Sequence, residues 1–235
     1  MLCKIADLIT EVPETGGLSP RLREYQWRTE QTPDLVIDES RYRPAAWKGL
    51  SWEQYCYMES GIHFYANLLH HKGMMLHASA VAYRGRAYLF SGSSGVGKST
   101  HTQLWQQVFG KDAQVFNDDK PALRYPDGQW LAYGTPWSGK NGININLKVP
   151  LAGICFLEQG RENRIDLLSP QEAVSYVMPQ TLHRFKDLER AYLMLEHVEN
   201  LLSKIPVFHL VNQPCEEAVH LAYETMAYWA DQRGL

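Results

Sequence analysis

Residues 89–100, LFSGSSGVGKST, constrain the fold more than any other part of the chain. Gly92, Gly97, Lys98 and Ser99 match the pattern G-x-x-x-x-G-K-[ST] without a mismatch. The glycines of such a loop turn the backbone through conformations that side chains disfavour, and the loop needs a strand before it and a helix after it. The pattern therefore predicts a strand, a tight loop and a helix in this order.

The segments on either side of the loop have the composition that the pattern requires. MMLHASAVAY and AYLFSG are strand-like runs, and residues 84–86 form a short glycine-containing connection that is typical of a hairpin. After the loop, Leu104, Trp105 and Val108 recur at helical spacing. We expect an antiparallel hairpin that leads into the loop, followed by a helix.

A loop of this kind wraps phosphate groups. Its backbone amides converge on phosphate oxygens, and the helix that follows adds the positive end of its dipole. Lys98 would reach the β and γ phosphates, while the hydroxyl of Ser99 would bind Mg²⁺. The predicted site for ATP and Mg²⁺ comprises Gly92, Ser93, Ser94, Gly95, Val96, Gly97, Lys98, Ser99 and Thr100. Whether the bound nucleotide carries adenine or guanine is left open.

The segment FNDDK, residues 116–120, holds a second group of reactive side chains. Asp118 and Asp119 follow a strand-like run one helix and one strand beyond the loop, where a parallel α/β sheet would bring them near the phosphates. One carboxylate can bind Mg²⁺ and the other can accept a proton from an attacking hydroxyl. A turn with two solvated acids before Pro121 is the alternative.

Two further features are compatible with catalysis or with an ordinary structural role. His77 opens the strand that precedes the loop, a position typical of a strand-end residue as well as of a catalytic one. YGTPWSGKNG, residues 133–142, is either a substrate-facing loop, with Lys140 as a positive charge and Trp137 as an aromatic wall, or a surface hairpin turn. Both pairs of alternatives stay open at this point.

The remaining segments alternate between strands and helices, which predicts an α/β protein with a mixed sheet. SPQEAVSYV has the spacing of a capping box between Ser169 and Glu172, with Pro170 at the first helical position. Helices are expected at about 187–203 and about 215–231, with a strand in PVFHL between them. INLKVPLAGICFLEQ is expected to contain one or two apolar strands.

Residues 1–73 are predicted to be a mostly β layer on a core at 74–235. Short strand candidates such as DLVIDES are broken by proline and glycine in VPETGGLSP and RPAAWKG, and long helical periodicity is missing. One domain is expected, with a separate small N-terminal domain as the alternative. A net charge of −3 argues against nucleic acid or a membrane as partner, and scattered cysteines without a signal peptide predict a cytoplasmic protein.

In their order, these motifs resemble the catalytic domain of HPr kinase/phosphorylase, a member of the phosphoenolpyruvate carboxykinase-like superfamily. The similarity covers about residues 74–160 and consists of a histidine at a strand start, a hairpin, the glycine-rich loop and NDDK. It implies that Asp118 deprotonates an acceptor hydroxyl, that Asp119 holds Mg²⁺ and that His77 lies near the transferred phosphate, with the reverse assignment of the aspartates also open. TPWSGKNG, with Lys140, stands where that family has an arginine-rich loop, so phosphorylase activity and HPr as acceptor are not part of the prediction.

The sequence thus predicts an ATP-dependent kinase that transfers the γ-phosphate to a hydroxyl, on a serine of a peptide or protein or on a small-molecule alcohol. The N-K-x-D segment of GTPases and the H-R-D and D-F-G segments of protein kinases are absent from the sequence. A nucleotide-binding or hydrolysing switch without kinase activity is the alternative, and either protein is compatible with a homo-oligomer. A carboxykinase would need further metal ligands, for which His77 is the one candidate.

Overall fold

The structure is a computed structural model that describes residues 1–14, 16–42, 49–182 and 187–235. It is mixed α/β, as the alternation of segments predicts. The strands are β1 Leu2–Ile5, β2 Leu8–Glu11, β3 Leu35–Val36, β4 Gly73–Met75, β5 Ala78–Tyr83, β6 Arg86–Ser91, β7 Ala113–Asn117, β8 Ala122–Arg124, β9 Leu131–Tyr133, β10 Lys148–Gln159, β11 Arg164–Leu167 and β12 Val207–Asn212. The α-helices are α1 Trp52–Leu68, α2 Lys98–Phe109, α3 Pro170–Val177, α4 Leu188–Lys204 and α5 Glu216–Gln232.

A mixed sheet forms the centre of the described structure, and its strand directions bring the predicted site residues to one edge. The main strand order is β4-β8-β9-β10-β6-β5-β7, and β12 pairs with β10 and β11. β5 runs antiparallel to both β6 and β7, so β6 and β7 are parallel although β5 separates them. The sheet is therefore mixed, as the sequence predicts. The carboxyl ends of β6 and β7 and the amino end of β5 still meet at the same edge.

Two helical layers cover the sheet because successive side chains of a strand point to opposite faces. In β6, Ala87 and Leu89 belong to the cluster that includes α3 and α4, while Tyr88 and Phe90 belong to the cluster that includes α2 and α5. Trp105 of α2 is fully buried, and its ring lies 5.1 Å from that of Tyr88 and 5.4 Å from that of Phe90. These contacts fix α2 against the strand that enters the glycine-rich loop.

The N-terminal region departs from the predicted mostly β layer. It contains a three-stranded sheet, β1-β2-β3, but also α1 and a 3-10 segment at Gly16–Tyr25. No amphipathic period marks α1 because it is covered on several sides; its buried residues are Tyr55, Cys56, Glu59, Ser60, Gly61, Phe64, Tyr65, Ala66 and Leu68. The capping box between Ser51 and Gln54 was the available helix signal. Residues 43–48 of the RPAAWKG segment lie outside the described residues.

The C-terminal elements follow the predictions closely. The capping box between Ser169 and Glu172 is present, with Pro170 in the first turn. α4 and α5 begin and end within one residue of the expected ranges, and β10 is one continuous strand of 12 residues. Within the described ranges, the helices all fall short of the length and apolarity that crossing a membrane requires.

Candidate functional site

The glycine-rich loop, residues 92–97, connects the carboxyl end of β6 to the amino end of α2. Gly92, Gly95 and Gly97 have φ angles of 137°, 83° and 110°, a region that L side chains rarely adopt. A Cβ atom at Gly95 or Gly97 would meet open space. The backbone conformation, rather than crowding, therefore requires glycine at these two positions.

The start of α2 carries backbone hydrogen-bond donors that find no acceptor within the described part of the chain. Gly97 is the N-cap residue and provides no side-chain acceptor. Among the residues that the structure describes, none accepts a hydrogen bond from the backbone amide of Gly95, Gly97 or Lys98. Because first-turn amides carry partial positive charge, this arrangement favours an anion.

Lys98 is folded back over the loop. Its Nζ donates hydrogen bonds to the carbonyl oxygens of Gly92 at 3.0 Å and Ser93 at 3.1 Å. Burial lowers the pKa of this ammonium, and the negative charge of Asp119 opposes the shift. The lysine therefore links the loop electrostatically to the end of β7. Ser99 and Thr100 lie in the first turn of α2, where Ser99 is half-buried and Thr100 exposed.

A hydrogen-bonded group lies at the same sheet edge, where the start of β5 meets the end of β7. His77 Nε2 lies 3.0 Å from Asp119 Oδ1, and His77 Nδ1 lies 3.1 Å from Gln180 Oε1. The carboxylate of Asp119 also contacts the ammonium of Lys120. We call Gln180, His77, Asp119 and Lys120 the bridging network. The contact between His77 and Asp119 arises because β5 runs antiparallel to β7, which places the start of β5 next to the end of β7.

Asp119 is ionised at neutral pH. Burial alone would raise its pKa, but the hydrogen bond with His77 and the charge of Lys120 outweigh burial and hold the pKa at about 2. An ionised carboxylate and the hydroxyl of Ser99 are oxygen donors of the kind that Mg²⁺ prefers. These two donors match the predicted cation in kind, but among the described residues no three or more His, Cys, Asp or Glu side chains cluster as a metal site.

Asp118 and Asp119 face different neighbours because the side chain of Asn117 holds the turn that follows β7. Asn117 Oδ1 accepts hydrogen bonds from the amides of Asp119 at 3.1 Å and Lys120 at 2.7 Å. Asp118 is 5 % exposed, and its Oδ1 accepts a hydrogen bond of 2.7 Å from the amide of Gly139. Its Oδ2 accepts none from the described residues. The alternative of two solvated acids is wrong, since one is buried and the other is half-buried and paired.

Two cavities flank this group of residues. The first, which we call the loop cavity, has a volume of about 490 Å³ and is lined by residues 92–96, Phe156, Tyr176, Gln180 and His209, among others. The second, which we call the apolar cavity, has a volume of about 600 Å³; its wall includes Arg21, Tyr57, Ile62, Lys120, Trp137 and Lys140. Because Gln180 lines the first cavity and Lys120 the second, the bridging network runs from one cavity to the other.

The TPWSGKNG segment is not a surface turn along its whole length. Trp137 is 1 % exposed, its ring lies 4.8 Å from that of Phe64, and its Nε1 donates a hydrogen bond of 3.0 Å to Ser60 Oγ. Lys140 is exposed at the mouth of the apolar cavity. Sequence reasoning missed Arg21, Tyr57 and Gln180, which carry no motif.

Comparison with known proteins adds a family. The model of a family described as SynChlorMet cassette protein ScmC matches residues 52–213, which is more than half of the chain. The chain belongs to this family. The range that matches the ScmC model includes the glycine-rich loop, the bridging network and α1, whereas Arg21 lies before it. No curated protein sequence gives a significant match.

The solved structures that resemble this ScmC-family chain include the HPr(Ser) kinase/phosphatase from Coxiella burnetii. The sequences are 11 % identical, the alignment covers 68 % of this chain and 93 % of that one, and the TM-score is 0.39. The likeness is a distant one of fold.

Proposed function

We propose that this ScmC-family protein is a phosphotransferase that moves the γ-phosphate of ATP to a hydroxyl group. The observation that carries the proposal is the bridging network, which joins the loop cavity to the apolar cavity. A transfer between two substrates needs donor and acceptor held on either side of the groups that handle charge and protons. In this proposal the N-terminal region and the core act as one domain, because Arg21 contacts Ser138.

The loop cavity would hold the phosphates. The amides at the start of α2 would bind phosphate oxygens, and Lys98 would exchange two neutral carbonyl acceptors for charged ones. Ser99 and Asp119 would hold Mg²⁺, which when bound neutralises charge on the transferred phosphoryl group. His77 keeps Asp119 in place and ionised, and lies on the path between the two cavities.

Asp118 would act on the acceptor. Its Oδ1 is held by the Gly139 amide, in the segment that forms part of the apolar cavity, and its Oδ2 would take the proton of an incoming hydroxyl. The hydroxyl oxygen then forms a bond to the γ phosphorus while the bond to the β-phosphate oxygen breaks. The neighbour of each carboxylate supports this division of roles, with Asp118 as base and Asp119 beside the loop.

The test uses γ-labelled ATP, Mg²⁺ and a cell extract that is afterwards separated into peptides and small metabolites. We expect label in one acceptor fraction with the wild-type protein. Asp118→Asn should bind ATP within about threefold of wild type yet transfer label at least about 100-fold more slowly, because a positioned base typically contributes that much. Asp112→Asn, which changes an exposed acid before β7, is the matched control.

Two outcomes would contradict the proposal. Full transfer by Asp118→Asn would remove Asp118 as the base. ATP binding and hydrolysis by the wild-type protein, with no labelled acceptor in any fraction, would favour a nucleotide-dependent switch instead.

A further inference from the structure

We infer that the apolar cavity binds a compound with an apolar body and one anionic group, and that Arg21 recognises the anion. The inference rests on the proposed function only in calling this compound the phosphoryl acceptor and in requiring that it carry a hydroxyl. The binding chemistry follows from the walls and charges of the cavity.

The walls suit an apolar body. The cavity volume of about 600 Å³ falls in the range of small-molecule sites, which are lined mainly by apolar and aromatic groups. Tyr57, Met58 and Ile62 come from α1, and Trp137 and Leu182 come from two other segments. The stack and hydrogen bond of the Trp137 ring hold this part of the wall in one orientation.

Arg21 supplies a cation whose side-chain partners among the described residues are neutral. Its guanidinium lies 4.8 Å from the ring centroid of Tyr57, and its Nη1 donates hydrogen bonds to Tyr57 Oη at 3.3 Å and to Ser138 Oγ. Within the described ranges, no carboxylate forms an ion pair with it. A guanidinium has five donors in a fixed plane, so these two contacts orient Arg21 and leave donors for an anion.

The charges around the cavity point the same way. Its lining residues include three cations, Arg21, Lys120 and Lys140, and one acid, Glu53. Lys120 is paired with Asp119, and Glu53 is exposed in the first turn of α1. The excess of positive charge lies on Arg21 and Lys140, which favours an anionic ligand group.

The position of Arg21 connects this anion site to the proposed base. Arg21 donates to Ser138 Oγ, and the next residue, Gly139, donates its amide to Asp118. Tyr57 fixes the same short segment: its Oη donates to the Ser138 carbonyl at 2.8 Å and accepts from the Ser138 amide at 2.7 Å. A ligand anchored by its anion at Arg21 is therefore held beside the residues that position Asp118.

The experiment compares two fluorescent probes that differ by one sulfonate group: 8-anilinonaphthalene-1-sulfonate and its uncharged parent, N-phenyl-1-naphthylamine. Titrations of the full chain contain no nucleotide. We expect one sulfonate probe per chain, bound at least about tenfold more tightly than the neutral probe, since hydrogen bonds to a charged group contribute about this factor. Equal affinity for the two probes overturns the inference.

Variants locate the anion site. Arg21→Gln should weaken the sulfonate probe about tenfold and change the neutral probe less than about twofold. Arg23→Gln, in the same 3-10 segment but exposed and outside the cavity wall, is the matched control and should change neither. Met58→Trp fills the cavity and should weaken both probes. An equal response to Arg21→Gln and Arg23→Gln, or unchanged binding in Met58→Trp, overturns the inference.

Two additions keep the test decisive if Arg21→Gln does not fold, which circular dichroism would reveal. Arg21→Lys should retain most of the preference for the sulfonate probe, and Lys140→Gln, a change at an exposed residue, should reduce it about threefold. An unchanged preference in Lys140→Gln together with its loss in Arg21→Lys counts against a site that attracts anions by charge.

Competition with a hydroxy acid tests the ligand class. The probe used is 3-phenyllactate, which has an aromatic body, a hydroxyl and a carboxylate, against its methyl ester, which lacks the charge. The acid should displace the sulfonate probe and the ester should not; equal displacement by both overturns the inference. Because no ATP is present, failure here leaves the phosphotransferase proposal standing, and failure to bind ATP leaves this site standing.

Discussion

The loop cavity and the apolar cavity are built in different ways. The loop cavity is lined by the five consecutive residues 92–96 together with residues 156–159, 175–176, 179–180 and His209. Lys98 lies beside it and donates hydrogen bonds to the carbonyls of Gly92 and Ser93. The apolar cavity is built from side chains of segments far apart in the chain; Arg21 and Ser138, which meet there, are 117 positions apart. A short local pattern thus marks one wall of the first cavity, whereas no local pattern marks the second.

Trp137→Ala is expected to have the largest effect on stability, and this effect should be confined to the apolar cavity. Removal of a fully buried indole that stacks on Phe64 should lower the free energy of unfolding by about 4 kcal/mol, measured by chemical denaturation. Affinity for ATP should stay within about threefold of wild type. The control is Trp52→Ala, which removes a 58 % exposed indole at the start of α1, the helix that carries Phe64. It should cost less than about 1 kcal/mol. A parallel loss of ATP affinity in Trp137→Ala would show that the cavities are not independent.

Lys98→Ala should affect nucleotide binding at the glycine-rich loop. Without the ammonium that reaches over the loop, ATP affinity measured by calorimetry should fall about 100-fold, a loss of about 3 kcal/mol. Lys111→Ala, at an exposed lysine just after α2, is the control. Unchanged affinity in Lys98→Ala would rule out the loop as the phosphate site.

Asp119 lies between the cavities and predicts a pH dependence. Its folded-state pKa of about 2 is below the value of about 3.9 in unfolded chains, so its contribution to stability is present above pH 5 and is lost as pH falls through the folded pKa. The difference in unfolding free energy between wild type and Asp119→Asn should be about 2 kcal/mol at pH 7 and about half of that at pH 3. A difference that is equal at the two pH values would contradict this.

Two helix caps give the smallest expected effects and sharpen the comparison. Ser51→Ala and Ser169→Ala each remove the side chain of a capping box, and each should cost about 1 kcal/mol in thermal or chemical unfolding. α1 forms part of the apolar cavity wall, whereas Ser175 and Tyr176 of α3 line the loop cavity. Ser51→Ala should therefore weaken the fluorescent probe slightly and Ser169→Ala should not. The reverse result would place the probe in the loop cavity.

How much the sequence could predict depends on whether a feature is built from one local segment or from segments far apart in the chain. The glycine-rich loop and its flanking strand and helix depend on local patterns, and the structure has them where the patterns indicate. The contact between His77 and Asp119 depends on strand order in the mixed sheet, which no local pattern marks. Their roles in binding and catalysis stay predictions. α1 and the 3-10 segment were missed because neither has a simple apolar period, and Arg21 meets Tyr57 only once these elements pack together.

The strand that separates β6 from β7 also sets a distance. Neighbouring strands lie about 4.8 Å apart, so the carboxyl ends of β6 and β7 are separated by two such steps, roughly 10 Å. The spacing between the glycine-rich loop and the carboxylates that follow β7 is therefore set by the backbone ladder of β5, whose pairing does not depend on which side chains it carries.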